Sequence, residues 1–122
     1  MNKNKLIYID FSNYEIVKAL ILGRKELEAK INSTNFGVNV SYEQELTLED
    51  IVCIYASLDS LIEKCEFDDK RAELIMLLFE GNSVVDLEKY TSRKTRGNRW
   101  LLDTIIKEMN QRAEKEFKIG GE

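Results

Sequence analysis

The fold is decided by the stretch from residue 81 to residue 100, which reads GNSVVDLEKYTSRKTRGNRW. Gly81 followed by Ser83 is typical of one helix ending and another beginning, because glycine closes helices and serine caps their first turn. The residues from Ser83 to Tyr90 then predict a helix of about two turns, anchored by Val84, Leu87 and Tyr90. Such a short helix needs longer neighbours to pack against.

Apolar helices are predicted on both sides of this stretch. Asp68 or Asp69 starts the first, which extends to Glu80. Thr91 and Ser92 interrupt the short helix, and either hydroxyl can cap a last helix from Arg93 or Lys94 to Phe117. Its expected core residues are Trp100, Leu101, Leu102, Ile105, Ile106 and Met109. The order of long helix, short helix, tight turn and long helix predicts a helix-turn-helix over about residues 69–113.

The rest of the chain is also mainly helical in pattern. Ser12 is a predicted N-cap for a helix over 13–32, and Thr47 for one that extends to Cys65. Residues 32–44 are rich in polar residues and separate an N-terminal region, 1–45, from a helical domain, 46–122. Residues 6–11 and 37–42 could pair as a short β-hairpin, an alternative left open. We therefore predict a mainly α fold, a helical bundle with a C-terminal helix-turn-helix.

Composition excludes several classes of function. The 122 residues include no histidine, so the commonest general base and metal ligand are missing. No phosphate-binding glycine motif is present, and Cys53 and Cys65 lack the spacing of a metal site, so we expect reduced thiols. No apolar run reaches the roughly 18 residues of a membrane span, and Asp10 interrupts any signal-peptide core. We expect a cytoplasmic protein that is not an enzyme, uses no cofactor or metal and has no membrane partner.

Charge is distributed unevenly along the chain. Residues 1–90 contain 10 Lys and Arg against 17 Asp and Glu, a net charge of −7, whereas residues 91–122 contain 8 against 5, a net charge of +3. No acidic residue occurs between Lys89 and Leu102. An acidic body with a basic C-terminal segment is the pattern of a protein that presents only that segment to a polyanion.

The basic opening of the last helix supplies the predicted DNA-binding residues, which are Ser92, Arg93, Lys94, Thr95, Arg96, Asn98 and Arg99. In a helix-turn-helix the first turns of the second helix face the base edges in the major groove. Arg96 and Arg99 are expected to contact guanine and Asn98 adenine, because their side chains match those edges bidentately. Arg93 and Lys94 are expected to contact phosphates.

The run from Arg71 to Ala113 resembles region 4 of bacterial sigma factors and phage late transcription regulators of the ArpU and RinA type. The matching elements are Leu74 to Phe79, Gly81-Asn82-Ser83, Leu87, Ser92-Arg93-Lys94-Thr95 and Arg99-Trp100-Leu101. Two positions differ: Glu88 stands where a small residue is usual and Arg96 where an apolar one packs. The resemblance implies a phage-encoded or mobile-element-encoded activator that binds promoter DNA and contacts RNA polymerase.

The sequence thus predicts a transcriptional regulator that binds specific duplex DNA. One such module makes limited contact with DNA, so a homodimer or RNA polymerase as a second anchor is part of the prediction. The alternative is a helical protein-interaction module, an adaptor or inhibitor that uses the same basic patch against an acidic partner.

Overall fold

The computed structural model describes residues 9–31 and 47–120. This part of the chain contains four α-helices and a short 3-10 helix: α1 (Tyr14–Ile31), α2 (Leu48–Cys65), α3 (Asp69–Phe79), the 3-10 helix (Val85–Lys89) and α4 (Thr95–Gly120). The predicted mainly α fold is confirmed, and the described residues contain no strand. Residues 9–11 are irregular, whereas the remainder of the predicted hairpin, 6–8 and 37–42, lies outside the described residues.

Local hydrogen bonds explain where the helices begin. Thr47 and Asp50 form a reciprocal capping box at the start of α2, and the Asp68 carboxylate accepts a hydrogen bond from the Arg71 amide at 3.0 Å at the start of α3. Both caps confirm the sequence prediction. At α1 the cap is Asn13, whose Oδ1 accepts from the Ile16 amide at 3.1 Å. Ser12, the predicted cap, instead bonds to Asp10, which satisfies its hydroxyl before the helix starts.

One hydrophobic core joins all the described helices. α1 packs against α3 and α4, and α2 packs against α4. The fully buried side chains include Val17 and Ile21 of α1, Leu58 of α2, Leu74 of α3 and Ile105 of α4. The described part of region 1–45 therefore shares its core with the helices of region 46–122. Because apolar burial is the main favourable contribution to folding, α1 contributes to the stability of the C-terminal helices.

Two large apolar residues predicted at helical spacing are not in this core. Trp100 of α4 is 63% exposed, which overturns the expectation that it is a core residue. Tyr90, predicted to anchor the short helix, is 56% exposed, whereas Leu87 is fully buried. The buried stripes are narrower than the apolar runs in the sequence, because each residue turns the side chain by about 100° around the helix axis.

The connection between α3 and α4 is compact. Gly81 has φ +101°, the left-handed conformation that glycine adopts without strain, and a Cβ there would lie 3.0 Å from Cγ of Lys25. The short helix is a 3-10 helix over Val85–Lys89 rather than the α-helix predicted from Ser83 to Tyr90. Its amides bond to the carbonyls three residues earlier, such as Leu87 to Val84 at 3.2 Å, a tighter winding typical of short connecting helices.

Among the described residues, no helix has the length and apolar content that crossing a bilayer requires.

Candidate nucleic-acid interface

Four of the predicted DNA-binding residues are accessible at or near the start of α4. Ser92, Lys94, Arg96 and Arg99 are all exposed. None of the three cations among them forms an ion pair with a carboxylate in the described part of the chain. Exposed cations without a close ion pair keep most of their charge available for an external anion.

Glu88 of the 3-10 helix caps the first turn of α4. Its carboxylate oxygen Oε2 accepts hydrogen bonds from the amide and the hydroxyl of Thr95, at 2.6 Å and 2.7 Å. These bonds, helped by the charge of Lys94, lower the pKa of Glu88. The cap differs from the prediction that Thr91 or Ser92 caps this helix. It also means that the hydroxyl of Thr95, a predicted DNA-binding residue, already has a partner within the protein.

The carboxylate of Glu88 has a further consequence for anion binding. The N-terminus of a helix attracts phosphate through its free amides and its dipole. Here one of those amides is occupied and a negative charge lies beside it. A phosphate therefore has to approach through the side chains of Lys94, Arg96 or Arg99, which lie around this cap, rather than through the Thr95 amide.

Asn98 lies inside the protein and fixes the turn before α4. Its side chain is fully buried, with Oδ1 accepting from Nε of Arg93 at 2.9 Å and Nδ2 donating to Oγ1 of Thr91 at 3.2 Å. The Thr91 hydroxyl in turn donates to the carbonyl of Leu87 at 3.0 Å. This network corrects the prediction that Asn98 contacts adenine, because a buried amide with internal partners cannot reach a base edge.

Arg93 belongs to the same network and is half-buried rather than free. Its Nη2 atom is buried and has no hydrogen-bond partner among the described residues, whereas Nε is bonded to Asn98. Because this guanidinium is hydrogen bonded toward the interior, its main effect is to hold the turn in place. We therefore assign Arg93 to the support of the turn, in place of the predicted phosphate contact.

An open groove of about 610 Å³ borders the cationic residues. It lies between α1, α4 and residues 83–85 at the start of the 3-10 helix, and Leu22, Val85 and Trp100 contribute its exposed apolar side chains. The hydroxyl of Tyr14 hydrogen bonds to the Asp103 carboxylate, which raises the pKa of Tyr14 to about 12 and lowers that of Asp103. The acidic group on this side of α4 is thus already engaged.

The cap by Glu88 and the burial of Asn98 escaped the sequence analysis for different reasons. The contact of Glu88 with Thr95 depends on how the 3-10 helix meets α4, which a sequence pattern does not contain. Asn98 precedes Leu101, Leu102 and Ile105 by three, four and seven residues, which is the spacing of one buried helix face. That signal was present in the sequence and places Asn98 on the core side.

Comparison of the chain with protein-family models, with curated proteins and with solved structures found no match. The described residues also include no group of three or more histidine, cysteine, aspartate or glutamate side chains that could hold a metal ion.

Proposed function

We propose that the protein binds duplex DNA through the first two turns of α4 and regulates transcription by doing so. The observation that carries this proposal is the exposure of Lys94, Arg96 and Arg99 without an ion pair to any described carboxylate. Phosphate contacts by such cations supply most of the affinity of non-specific DNA binding. The three residues lie within six positions, so they can contact one short stretch of backbone or groove.

Rigid support for these cations favours the proposal. Behind them, the buried residues Leu101, Leu102 and Ile105 hold α4 to the core, and the buried Asn98 holds the preceding turn. Side chains presented by a fixed helix lose less conformational entropy on binding than side chains on a loop. The arrangement of the 3-10 helix, the turn and α4 also has the order of a helix-turn-helix, with α4 in the position of the recognition helix.

Within the proposed interface the cations divide into two roles. Arg96 and Arg99 lie in the first two turns of α4 and are assigned to base edges, where a guanidinium binds guanine bidentately. Lys94 precedes the first turn and, with Ser92, is assigned to phosphates. These assignments replace the wider set predicted from the sequence, because Arg93, Thr95 and Asn98 are engaged inside the protein.

A second anchor is part of the proposal. Residues 1–90 have a net charge of −7 and are repelled by DNA, so the contact area is confined to the start of α4. One helix in one major groove gives limited specificity. We propose that a second copy of the chain or RNA polymerase supplies the additional contact, and that the protein acts inside a cell infected by a phage or carrying a mobile element.

The competing proposal is a helical interaction module that binds an acidic protein partner. The exposed Trp100 and the open groove beside it favour this alternative, because large exposed apolar groups mark interaction sites. Arg99, which lines the same groove, would then pair with carboxylates of the partner.

A titration distinguishes the two functions. The full-length protein is mixed with a labelled random-sequence duplex of about two helical turns, and anisotropy is recorded at about 50 mM and about 200 mM salt. On a random-sequence duplex, where few specific base contacts form, Lys94, Arg96 and Arg99 should all contact phosphates, which predicts binding at low salt and a log–log salt slope of about −2.7. Absence of binding at low salt would contradict the DNA proposal and leave the interaction module.

A further inference from the structure

Trp100 is the only tryptophan of the chain, and its exposure calls for an explanation. Its exposed fraction of 63% is the largest among the large apolar side chains of the described residues. A tryptophan normally contributes a large buried area to a core or an interface. An exposed indole beside cationic side chains is accessible to an external ligand.

The position of Trp100 on α4 places it beside the cations. Trp100 follows Arg96 by four residues, so the two side chains lie one turn apart on the same exposed face of the helix. Arg99, its neighbour in the chain, lines the same groove as Trp100. Trp100 is also the sixth residue of α4, within the first two turns that a recognition helix inserts into the major groove.

The charge of this surface favours binding of a polyanion, because its acidic residue is already engaged within the protein. Asp103 is the first acidic residue of α4, and its carboxylate is hydrogen bonded to Tyr14 and paired with Nζ of Lys107 at 3.1 Å. Across the groove, Lys18 of α1 adds another cation. Arg96 and Arg99, both exposed, precede the indole on α4 by four residues and one residue, and their charges attract phosphates to this end of the helix.

We propose that Trp100 is a specificity-determining residue that contacts the 5-methyl group of thymine in the major groove, an inference that rests on the proposed DNA binding. The indole offers a wide apolar face and a single N–H donor, so it cannot distinguish bases by a pattern of hydrogen bonds. The thymine methyl is the apolar feature of the major groove. Burial of one methyl group against the ring corresponds to about a four-fold preference for thymine over uracil.

The test begins with a duplex selected from a random-sequence pool by repeated binding to the full-length protein. Each thymine of that duplex is then replaced by uracil, which removes the methyl group and leaves base pairing unchanged. Wild-type protein should lose about four-fold in affinity at one or two positions. Trp100→Ala should bind the thymine and uracil duplexes equally. Because Trp100 is the sole tryptophan, its fluorescence should also change when the selected duplex is added.

Matched variants keep the result interpretable. Met76→Ala removes a similarly exposed apolar side chain from α3 and should preserve the thymine preference. Circular dichroism should show wild-type helix content in both variants, since neither residue is buried. Sedimentation of wild type and Trp100→Ala tests whether the indole instead mediates contact between copies of the protein.

The outcomes separate this inference from the proposed function. Binding of the selected duplex with no loss at any uracil position and no change in fluorescence would overturn the role of Trp100 while leaving DNA binding intact. A selected site without thymine, or self-association that depends on Trp100, would overturn it as well. Failure to bind any duplex at low salt would overturn the proposed function itself.

Discussion

The Nε atom of Arg93 donates a hydrogen bond to Oδ1 of Asn98 at 2.9 Å, inside the protein. The same amide donates from Nδ2 to the Thr91 hydroxyl at 3.2 Å, so one buried side chain joins the turn to α4. A residue predicted to contact DNA thus instead holds together the turn before α4. Because Asn98 is bonded to Arg93 and Thr91 in the turn before α4, it affects the geometry of the cationic surface indirectly.

Asn98→Ala should lower the free energy of unfolding by about 2–4 kcal/mol. The variant removes the hydrogen bonds to Arg93 Nε, to the Thr91 hydroxyl and to the Arg93 carbonyl, and leaves the guanidinium of Arg93 without its internal acceptor. Urea denaturation followed by circular dichroism measures the loss. Asn110→Ala is the matched control, because its Nδ2 makes one bond, to the Phe11 carbonyl at 2.7 Å, and should cost only about 1 kcal/mol. Equal losses in the two variants would argue against the central role of Asn98.

The cap of α4 by Glu88 should make stability depend on acid pH. The pKa of Glu88 in the folded protein lies below its ordinary value of 4.5, so the cap stabilises the fold above that pH and loses its effect as the pH falls through the folded pKa. Glu88→Gln should be less stable than wild type at pH 7 and should show a flatter decline below pH 4.5. Denaturant midpoints between about pH 3 and pH 7 test this.

Asp68 and Asp103 provide the background for that comparison. Hydrogen bonds from Arg71 and from Tyr14 lower the pKa values of these two carboxyl groups, so wild type and Glu88→Gln both lose stability in acid. The prediction therefore concerns the difference between wild type and Glu88→Gln in how stability changes with pH. Parallel curves over the whole range would show that the contacts of Glu88 with Thr95 do not contribute to folding.

The glycines before and within α4 should respond in opposite directions to substitution by alanine. A Cβ at Gly97 would meet only Cβ of Arg93 at 3.7 Å, an ordinary contact, so Gly97→Ala should raise the free energy of unfolding by about 0.5–1 kcal/mol. Gly81 has a positive φ and a Lys25 carbon at 3.0 Å, so Gly81→Ala should lower it by about 1 kcal/mol or more. Thermal melts of the two variants measure the difference, and a stabilised Gly81→Ala would contradict it.

Sequence patterns predicted the helices well because the signals that start and end a helix are local. Thr47 and Asp68 each cap the helix that begins at the next residue. Gly81 follows α3 in a left-handed backbone conformation that depends on no distant contact. The N-terminal boundary of α1 was wrong by one position because Ser12, Asn13 and Asp10 all offer side-chain oxygens. The choice among them depends on which hydrogen bonds form together.

The residues of the candidate surface were harder to predict, since tertiary contacts decide which of them are buried and which are exposed. Trp100 stands next to the buried Leu101 and Leu102 in sequence yet lies outside the core, because it falls on the opposite side of the helix. Asn98 has the spacing of the buried face and was assigned by residue type instead. The cap by Glu88 joins two elements whose relative placement a sequence pattern does not contain.

Removal of the two arginines on the exposed face of α4 gives the most direct check on DNA binding. The double variant Arg96→Ala/Arg99→Ala should bind a random duplex about 10-fold to 100-fold more weakly at low salt, and its salt slope should decrease by about 2, because both arginines are expected to contact phosphates when the duplex lacks a specific site. Both residues are exposed and have no described ion pair, so the free energy of unfolding should stay within about 0.5 kcal/mol of wild type. Anisotropy titrations at several salt concentrations measure the affinity and the slope.

Arg112→Ala is the control for net charge alone. Arg112 lies on the same helix, thirteen residues beyond Arg99, which places it about 20 Å further along the axis. It should leave both the affinity and the salt slope close to wild type. If the double variant kept full affinity while Arg112→Ala lost it, the interface would lie at the other end of α4. If all the variants weakened binding in proportion to charge, the protein would attract DNA only as a diffuse electrostatic surface, because a defined contact surface requires the loss to depend on position.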